Sequence, residues 1–283
     1  MKKLLVILFL ITSTIFSQIY TQKDVEVCNS KFDFATKEEL QNKPIGDVIV
    51  EIGKTFLGTD YEAFTLEKGN DEELVVHLTG LDCYTFFESS LALARAVKKG
   101  VPDFDSYQNE LQKIRSRNGE MKGYPSRLHY ASDWLFENDK AGIVKNITKE
   151  IGGVSYTDSV YFMSANKNEY RQMNDNDDIV EKIKEIETEI NDRENYFIPQ
   201  NEIDESEDKI KNGDIILITS SIDGLDIAHT GIAVENEEGI IHFMHAPIVG
   251  QKVQLTKEPL SVYVQKNKSQ SGIMVARPIE PGG

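Results

Sequence analysis

Gly80-Leu81-Asp82-Cys83-Tyr84-Thr85-Phe86-Phe87 joins a short apolar segment to a helix-patterned run, and the rest of the chain is read outward from it. Beyond Cys83, the residues Phe86, Phe87, Ser90, Leu91, Ala94 and Val97 recur on one face and Gly100 supplies a stop, so the pattern predicts a helix over residues 83–99. Cys83 then stands at a helix start. Unpaired backbone N–H groups and the positive end of the macrodipole gather there and favour thiolate over thiol. Asp82 opposes this, because a neighbouring carboxylate raises the thiol pKa unless it caps the helix and points away.

Before this helix, Ile45, Val48, Ile49, Ile52 and Phe56 recur at spacings of three and four, which predicts an amphipathic helical entry over residues 31–58. After it, a second helix is expected over residues 103–115, and the turn- and aromatic-rich residues 119–134 read as a packed loop. Ile179, Ile183, Ile186 and Ile190 mark a helix with one docked seam inside an acidic stretch. From Gly213 the pattern changes to strands: residues 215–219, 229–235 and 240–245, with Asn236-Glu237-Glu238-Gly239 as a turn, and two further candidates at 253–255 and 273–276. Helices first and an antiparallel sheet afterwards define an α+β domain. With no internal repeat or long linker, the expected organisation is a signal peptide (1–18), an N-terminal segment (19–45) and a single domain with helical insertions (46–283).

Met1-Lys2-Lys3, the apolar run from Leu4 to Ile11 and the small polar residues after it have the three parts of a secretory signal, and are too short for a spanning helix. No later stretch is apolar enough to cross a membrane. The expected product is exported, periplasmic or secreted, with no membrane span after signal removal. The net charge of −16, from 47 acidic against 31 basic residues, argues against a nucleic-acid partner, which needs a basic face to displace counterions. Two cysteines in an exported chain could pair, but Cys28 sits in a polar stretch read as a loose terminal segment, so the free-thiol reading of Cys83 is preferred.

A thiol nucleophile needs an imidazole, and the imidazole needs a third group on its other ring nitrogen. His229, at a strand start, is the base expected for Cys83, and His245, on the strand expected to pair with it, is the third member. His242, three positions earlier, should point to the opposite face and is read as structural. A zinc amidase using Cys83 or His229 with His242 and His245 is the competing chemistry, disfavoured because residues three apart on a strand diverge. A non-catalytic binding protein on the same scaffold is the competing class. No cofactor and no metal are expected.

The strings Phe56-Leu57-Gly58-Thr59-Asp60-Tyr61, Leu81-Asp82-Cys83-Tyr84-Thr85-Phe86-Phe87-Glu88, Ser126-Arg127-Leu128-His129-Tyr130, Gly213-Asp214-Ile215-Ile216, Gly224-Leu225-Asp226-Ile227-Ala228-His229-Thr230-Gly231-Ile232-Ala233 and His245-Ala246 occur in this order. Together they resemble the N-acetylmuramoyl-L-alanine amidase-like family of NlpC-type cysteine peptidases, from roughly Gly46 to Pro278. The resemblance implies a papain-like core in which Cys83 attacks, His229 serves as base and then acid, His245 orients His229, and Tyr61 helps hold the oxyanion. It implies small muropeptides as substrates, cut at the amide between the lactyl group of N-acetylmuramic acid and L-alanine. Arg127 would be the cation for a substrate carboxylate, His129, Tyr130 and Trp134 would line the sugar or peptide side, and Asp226 would shape the loop or receive an amine. Asp60 stands where the family commonly has proline, which bears on the rigidity of the segment before Tyr61, and Pro247 stands where serine is common.

Overall fold

The computed structural model describes residues 18–67, 69, 71–248 and 251–282. The expected signal peptide lies outside these residues apart from Gln18. Eight helices are described: α1 (Gln22–Lys37), α2 (Ile45–Lys54), α3 (Cys83–Lys98), α4 (Phe104–Arg115), α5 (Ala131–Lys140), α6 (Phe162–Ala165), α7 (Asp177–Asn191) and α8 (Leu260–Gln265). The strands are β1 (Gln18–Ile19), β2 (Leu74–Val75), β3 (Val144–Asn146), β4 (Val154–Tyr156), β5 (Asn195–Pro199), β6 (Ile215–Ser220), β7 (Ile227–Glu235), β8 (Ile241–His245), β9 (Gln254–Pro259) and β10 (Gln270–Pro278). The main sheet runs β4-β5-β10-β6-β7-β8-β9 and is antiparallel throughout, with β3 also on β10, while β1 and β2 form a separate parallel pair. The α+β expectation holds.

The sheet is buried on both faces. Ile215, Leu217, Ile232, Val234, Met244 and Met274 join the core made with α1 to α5, and Ile216, Ile218, Ala233, Phe243, Ile273 and Val275 join a second core with Leu260 and Val264 of α8. Strand β6 therefore reads as a continuous apolar run rather than an alternating one, as expected of a central strand covered twice. Helix α3 lies across β7 and β8. All its residues from Thr85 to Val97 are buried, which explains why its apolar pattern extends around the helix and includes Ala92, Leu93 and Ala96.

Two buried ion pairs tie α3 to α4: Glu88 to Arg115 at 2.8 Å and Arg95 to Glu110 at 2.8 Å. Lys99 and Lys113 also reach Glu110, and against the penalty of its own burial these three cations hold its carboxyl down at about 2.

Three expectations need correction. Residues 31–58 form two helices joined by a 3-10 turn, with Pro44 fixing the entry to α2, rather than one amphipathic element. Cys28 is not in a loose segment: it is wholly buried in α1, whose start is fixed by a capping box between Thr21 and Asp24. The polar residues around Cys28 are the outer face of that helix, and the inner face places Cys28, Phe32 and Ala35 in the main core. Burial and the nearby Asp103 push the Cys28 thiol up to about 12, so it is an inert space-filler. Finally, the region expected as loop over residues 119–134 ends inside a helix, so Trp134 is part of α5.

Candidate active site

Cys83 is the first residue of α3, and both cysteines are free thiols. The helix start is set by Asp82, whose Oδ1 accepts the Thr85 amide at 2.7 Å while the Asp82 amide donates to the Thr85 hydroxyl at 3.0 Å. The cap is made, yet its charge stays close enough to act on the sulfur. Burial first, and then Asp82, raise the Cys83 thiol to about 12, while hydrogen bonds from Thr230 and from the cysteine's own amide pull the other way. The resting sulfur is therefore a thiol, and the thiolate expected from the helix start is outweighed by desolvation and the adjacent carboxylate.

His229 lies near the start of β7 and His245 at the end of β8. His229 Nε2 is 2.7 Å from His245 Nδ1, with the rings edge to face at 4.9 Å. The β6–β7 register slips between Ile218 and Thr219, whose partners are His229 and Ile227, so Ala228 is the extra residue of a bulge immediately before His229. A bulge bends the strand and re-aims the side chain beside it. Phe243 stacks on His245 at 4.8 Å, and the Tyr263 ring meets His245 at 5.0 Å. A Cβ on Gly231 would come within 2.6 Å of the Phe243 ring and 2.5 Å of the Met244 carbonyl oxygen, so glycine is required for this aromatic wall to sit where it does. Burial lowers His229 to about 4, and burial with the neighbouring His229 lowers His245 to about 3, so both imidazoles rest neutral.

Cys83 and His229 line one pocket of about 200 Å³, together with Tyr84, His129, Tyr130, Asp226 and Thr230. A second, of about 260 Å³, is lined by Tyr61, Asp82, Tyr84, Glu88, Arg127 and His129 among others, and Glu67, Tyr84 and His129 belong to both. Tyr61 is held between the Cys83 loop and the segment after β8. Its amide donates to the Gln251 carbonyl at 2.9 Å, and the Leu81 amide donates to the Asp60 carbonyl at 3.0 Å. Asp60 also pairs with Lys252 at 2.5 Å, so main-chain bonds and an ion pair fix the segment where a proline is commonly found. Burial, Cys83 and Asp82 raise the Tyr61 hydroxyl to about 12, which keeps it a donor.

The residues expected to meet substrate divide into two groups. His129 and Tyr130 line the pocket, although His129 Nε2 already donates to the Tyr124 carbonyl at 2.8 Å and the Tyr130 hydroxyl donates to Glu187 at 2.7 Å. Asp226 is buried and accepts the Ser132 and Ile227 amides at 2.8 and 2.7 Å, so its carboxylate shapes the loop. The Arg127 guanidinium reaches the second pocket but is bonded to Glu67 and lies 3.5 Å from Glu72. Its fork is thus committed within the chain rather than free for a substrate carboxylate. Trp134 is fully buried edge to face on Phe87, inside the core, and lines neither pocket. His242 points elsewhere, its Nδ1 donating to the Thr256 carbonyl at 3.1 Å. Among the described residues no three His, Cys, Asp or Glu side chains converge as a metal site requires.

Sequence reasoning passed over Thr230 and Tyr263. Thr230 follows His229 on a strand, and alternation alone assigns its side chain to the opposite face from His229, yet it lines the same pocket and its hydrogen bonds act on the Cys83 sulfur. Tyr263 comes from a six-residue helix that no periodic signal announces.

Residues 51–273 match the family model described as N-acetylmuramoyl-L-alanine amidase-like. The chain belongs to this family. An N-acetylmuramoyl-L-alanine amidase from Bacteroides uniformis is 33% identical, with a TM-score of 0.78 over 83% of this chain and 99% of that one. A Bacteroides fragilis protein, provisionally described as a xylanase, is 32% identical, with a TM-score of 0.75 over 81% of this chain and 99% of that one. A protein from Legionella pneumophila, 21% identical with a TM-score of 0.66 over 91% and 95% of the two chains, shares the fold. Comparison with curated proteins found no match. For this amidase-like chain, the matched segment takes in Tyr61, Cys83, Arg127, His229 and His245.

Proposed function

We propose that this family member is a cysteine-dependent amidase of the papain-like, NlpC type that hydrolyses the N-acetylmuramoyl-L-alanine bond of small muropeptides. The observation that carries the reading is the shared pocket of Cys83, first residue of a buried helix, and His229, whose far nitrogen is bound to His245. Since His229 Nε2 is engaged by His245, Nδ1 is the nitrogen left to take the thiol proton, and the resting pair is thiol and neutral imidazole. On attack the sulfur bonds to the lactyl carbonyl carbon as its proton passes to His229. The tetrahedral oxyanion meets the Cys83 amide and the Tyr61 hydroxyl. His229 then returns the proton to the alanine nitrogen, the C–N bond breaks, and the peptide amine leaves a thioester on Cys83. Water, deprotonated by His229, hydrolyses the thioester and restores the thiol.

Glu67, Tyr84 and His129, common to both pockets, are assigned to the substrate's path, with Tyr130 on its wall. The protein is proposed to act outside the cytoplasm, in the periplasm or beyond the cell, on the strength of the signal-like residues 1–18. The test is incubation of purified protein with defined muropeptides and mass analysis of the products. Release of a free peptide beginning at L-alanine, absent with Cys83→Ala, is the expected result. Cleavage at another bond, or undiminished cleavage by Cys83→Ala, overturns the reading.

A further inference from the structure

Phe64 is the one apolar side chain among the described residues held at a positive φ, at +60°, and it is 80% exposed, more than any other large apolar side chain there. A bulky residue in the left-handed region is a true outlier, since glycine, asparagine and aspartate occupy it with less strain. The Glu67 amide donates to the Phe64 carbonyl at 3.1 Å, which opens the 3-10 turn Thr65–Glu67, and the ring joins none of the apolar clusters. Neither the turn nor the core accounts for a phenyl ring at this place, and strain of this kind gathers where a chain meets a ligand.

The ring lines the pocket of about 260 Å³ together with Tyr61, Leu66, Asp82 and Tyr84. Asp82 and Tyr84 flank Cys83 in the chain, and the pocket takes no described residue from β7 or β8, so it adjoins the sulfur on the side away from His229 and His245. On the histidine side lies a cavity of about 490 Å³ lined by His229, His245 and the carboxamides of Gln251, Gln254 and Asn267, among others. The chemistry orients a substrate between the two. His229 returns its proton to the alanine nitrogen, so the peptide departs on the histidine side. The muramoyl ring, joined to the carbonyl carbon through the lactyl methine and an ether oxygen, diverges from that nitrogen toward the Phe64 pocket. Charge agrees with this direction. Glu88 pairs with Arg115 and Glu67 with Arg127, which leaves the Asp82 carboxylate in excess, suited to sugar hydroxyls and unsuited to a peptide's terminal carboxylate. We propose that Phe64 is a specificity-determining residue whose exposed ring stacks on the C–H face of the muramoyl pyranose, with the peptide directed to the histidine side. The choice of sugar rests on the amidase reading.

The test is titration of full-length Cys83→Ala protein, with and without a second change at position 64, by two probes. One is N-acetylmuramoyl-L-alanyl-D-isoglutamine, and the other is the same dipeptide carrying D-lactoyl in place of the muramoyl group. Phe64→Ala is expected to weaken binding of the muramoyl probe about tenfold, the effect of losing one covered ring face, and to leave the lactoyl probe within about twofold. Where the lactoyl probe binds too weakly to titrate, free N-acetylmuramic acid is the comparison, and its dissociation constant should rise by the same factor as that of the muramoyl probe. Phe64→Tyr should restore binding. Phe64→Gly should bind as Phe64→Ala does and yet raise Tm, since glycine is unstrained at this φ. Equal weakening of both probes, no weakening of either, a muramoyl probe that does not bind, or a lower Tm in Phe64→Gly overturns the inference. Cleavage by the wild type at a bond other than lactyl–alanine would instead sink the functional reading, and the contrast between probes would still decide the role of Phe64.

Discussion

At the residue scale, Cys83, His229 and His245 form a candidate site whose thiol and imidazoles are kept neutral by burial. Cys83→Ala and His229→Ala are expected to abolish muropeptide cleavage with the fold retained, while His245→Ala leaves a lower but measurable rate, read as kcat at saturating substrate. The same burial has a consequence for stability. His229 and His245 titrate at about 4 and about 3 when folded but near 6.5 in an unfolded chain, so between those values the unfolded state binds more protons. Stability contributed by their neutral forms is thus present above about pH 6.5 and is lost as pH falls toward 4. A His245→Gln protein should lose less Tm than wild type between pH 6.5 and 4.5, and an equal loss in both would contradict this. Gly231→Ala should cost about 1–3 kcal/mol in denaturant unfolding, because its Cβ would press on the Phe243 ring and the Met244 carbonyl.

At the scale of elements, helix α3 carries two opposed requirements at one residue. Asp82 caps the helix and at the same time disfavours the thiolate next to it. Asp82→Asn keeps a capping side chain while removing the charge, so Tm should change little and Cys83 should react faster with iodoacetamide at pH 8. Slower alkylation in that variant would show that the carboxylate does not act on the sulfur. The helix is also clamped to α4 by buried pairs, and Arg115→Met, which strands Glu88 in the core, should cost about 3–5 kcal/mol by the same unfolding measurement.

These elements also show what the sequence could and could not disclose. The seam of α7 and the strands β6, β7 and β8 were legible because their periodicity reflects a local fact, which side is covered. Helix α1 was not, because its buried set includes Asp24, whose Oδ1 accepts the Leu78 amide at 2.7 Å, a partner 54 residues away. Cys83, His229 and His245 were legible as motifs. The partners of Arg127 were not legible for the same reason as α1: Glu67 and Glu72, which flank its guanidinium, come from a distant segment that only packing brings near. Trp134 read as a pocket residue because an aromatic in an irregular stretch carries no sign of burial.

At the scale of the molecule, a net charge of −16 on the chain goes with a pocket in which the Cys83 thiol and the His229 imidazole are uncharged at rest. No helix among the described residues is long and apolar enough to cross a membrane. The core is continuous from α1 through the sheet, with Cys28, Phe32, Ala35 and Leu40 packed in the same cluster as Phe86, Leu91 and Met244. Removing residues 18–43 should therefore leave a chain without a cooperative thermal transition, measured by circular dichroism, rather than a trimmed active domain. The central claim is that the Cys83 sulfur takes the lactyl acyl group from L-alanine. Its most direct measurement is acid quench during turnover of a muropeptide, followed by peptide mass mapping. The account predicts a muramoyl thioester on the peptide containing Cys83, absent from Cys83→Ala. Steady turnover in which quenched enzyme carries no acyl group, and which an alkylated Cys83 still supports, would contradict it.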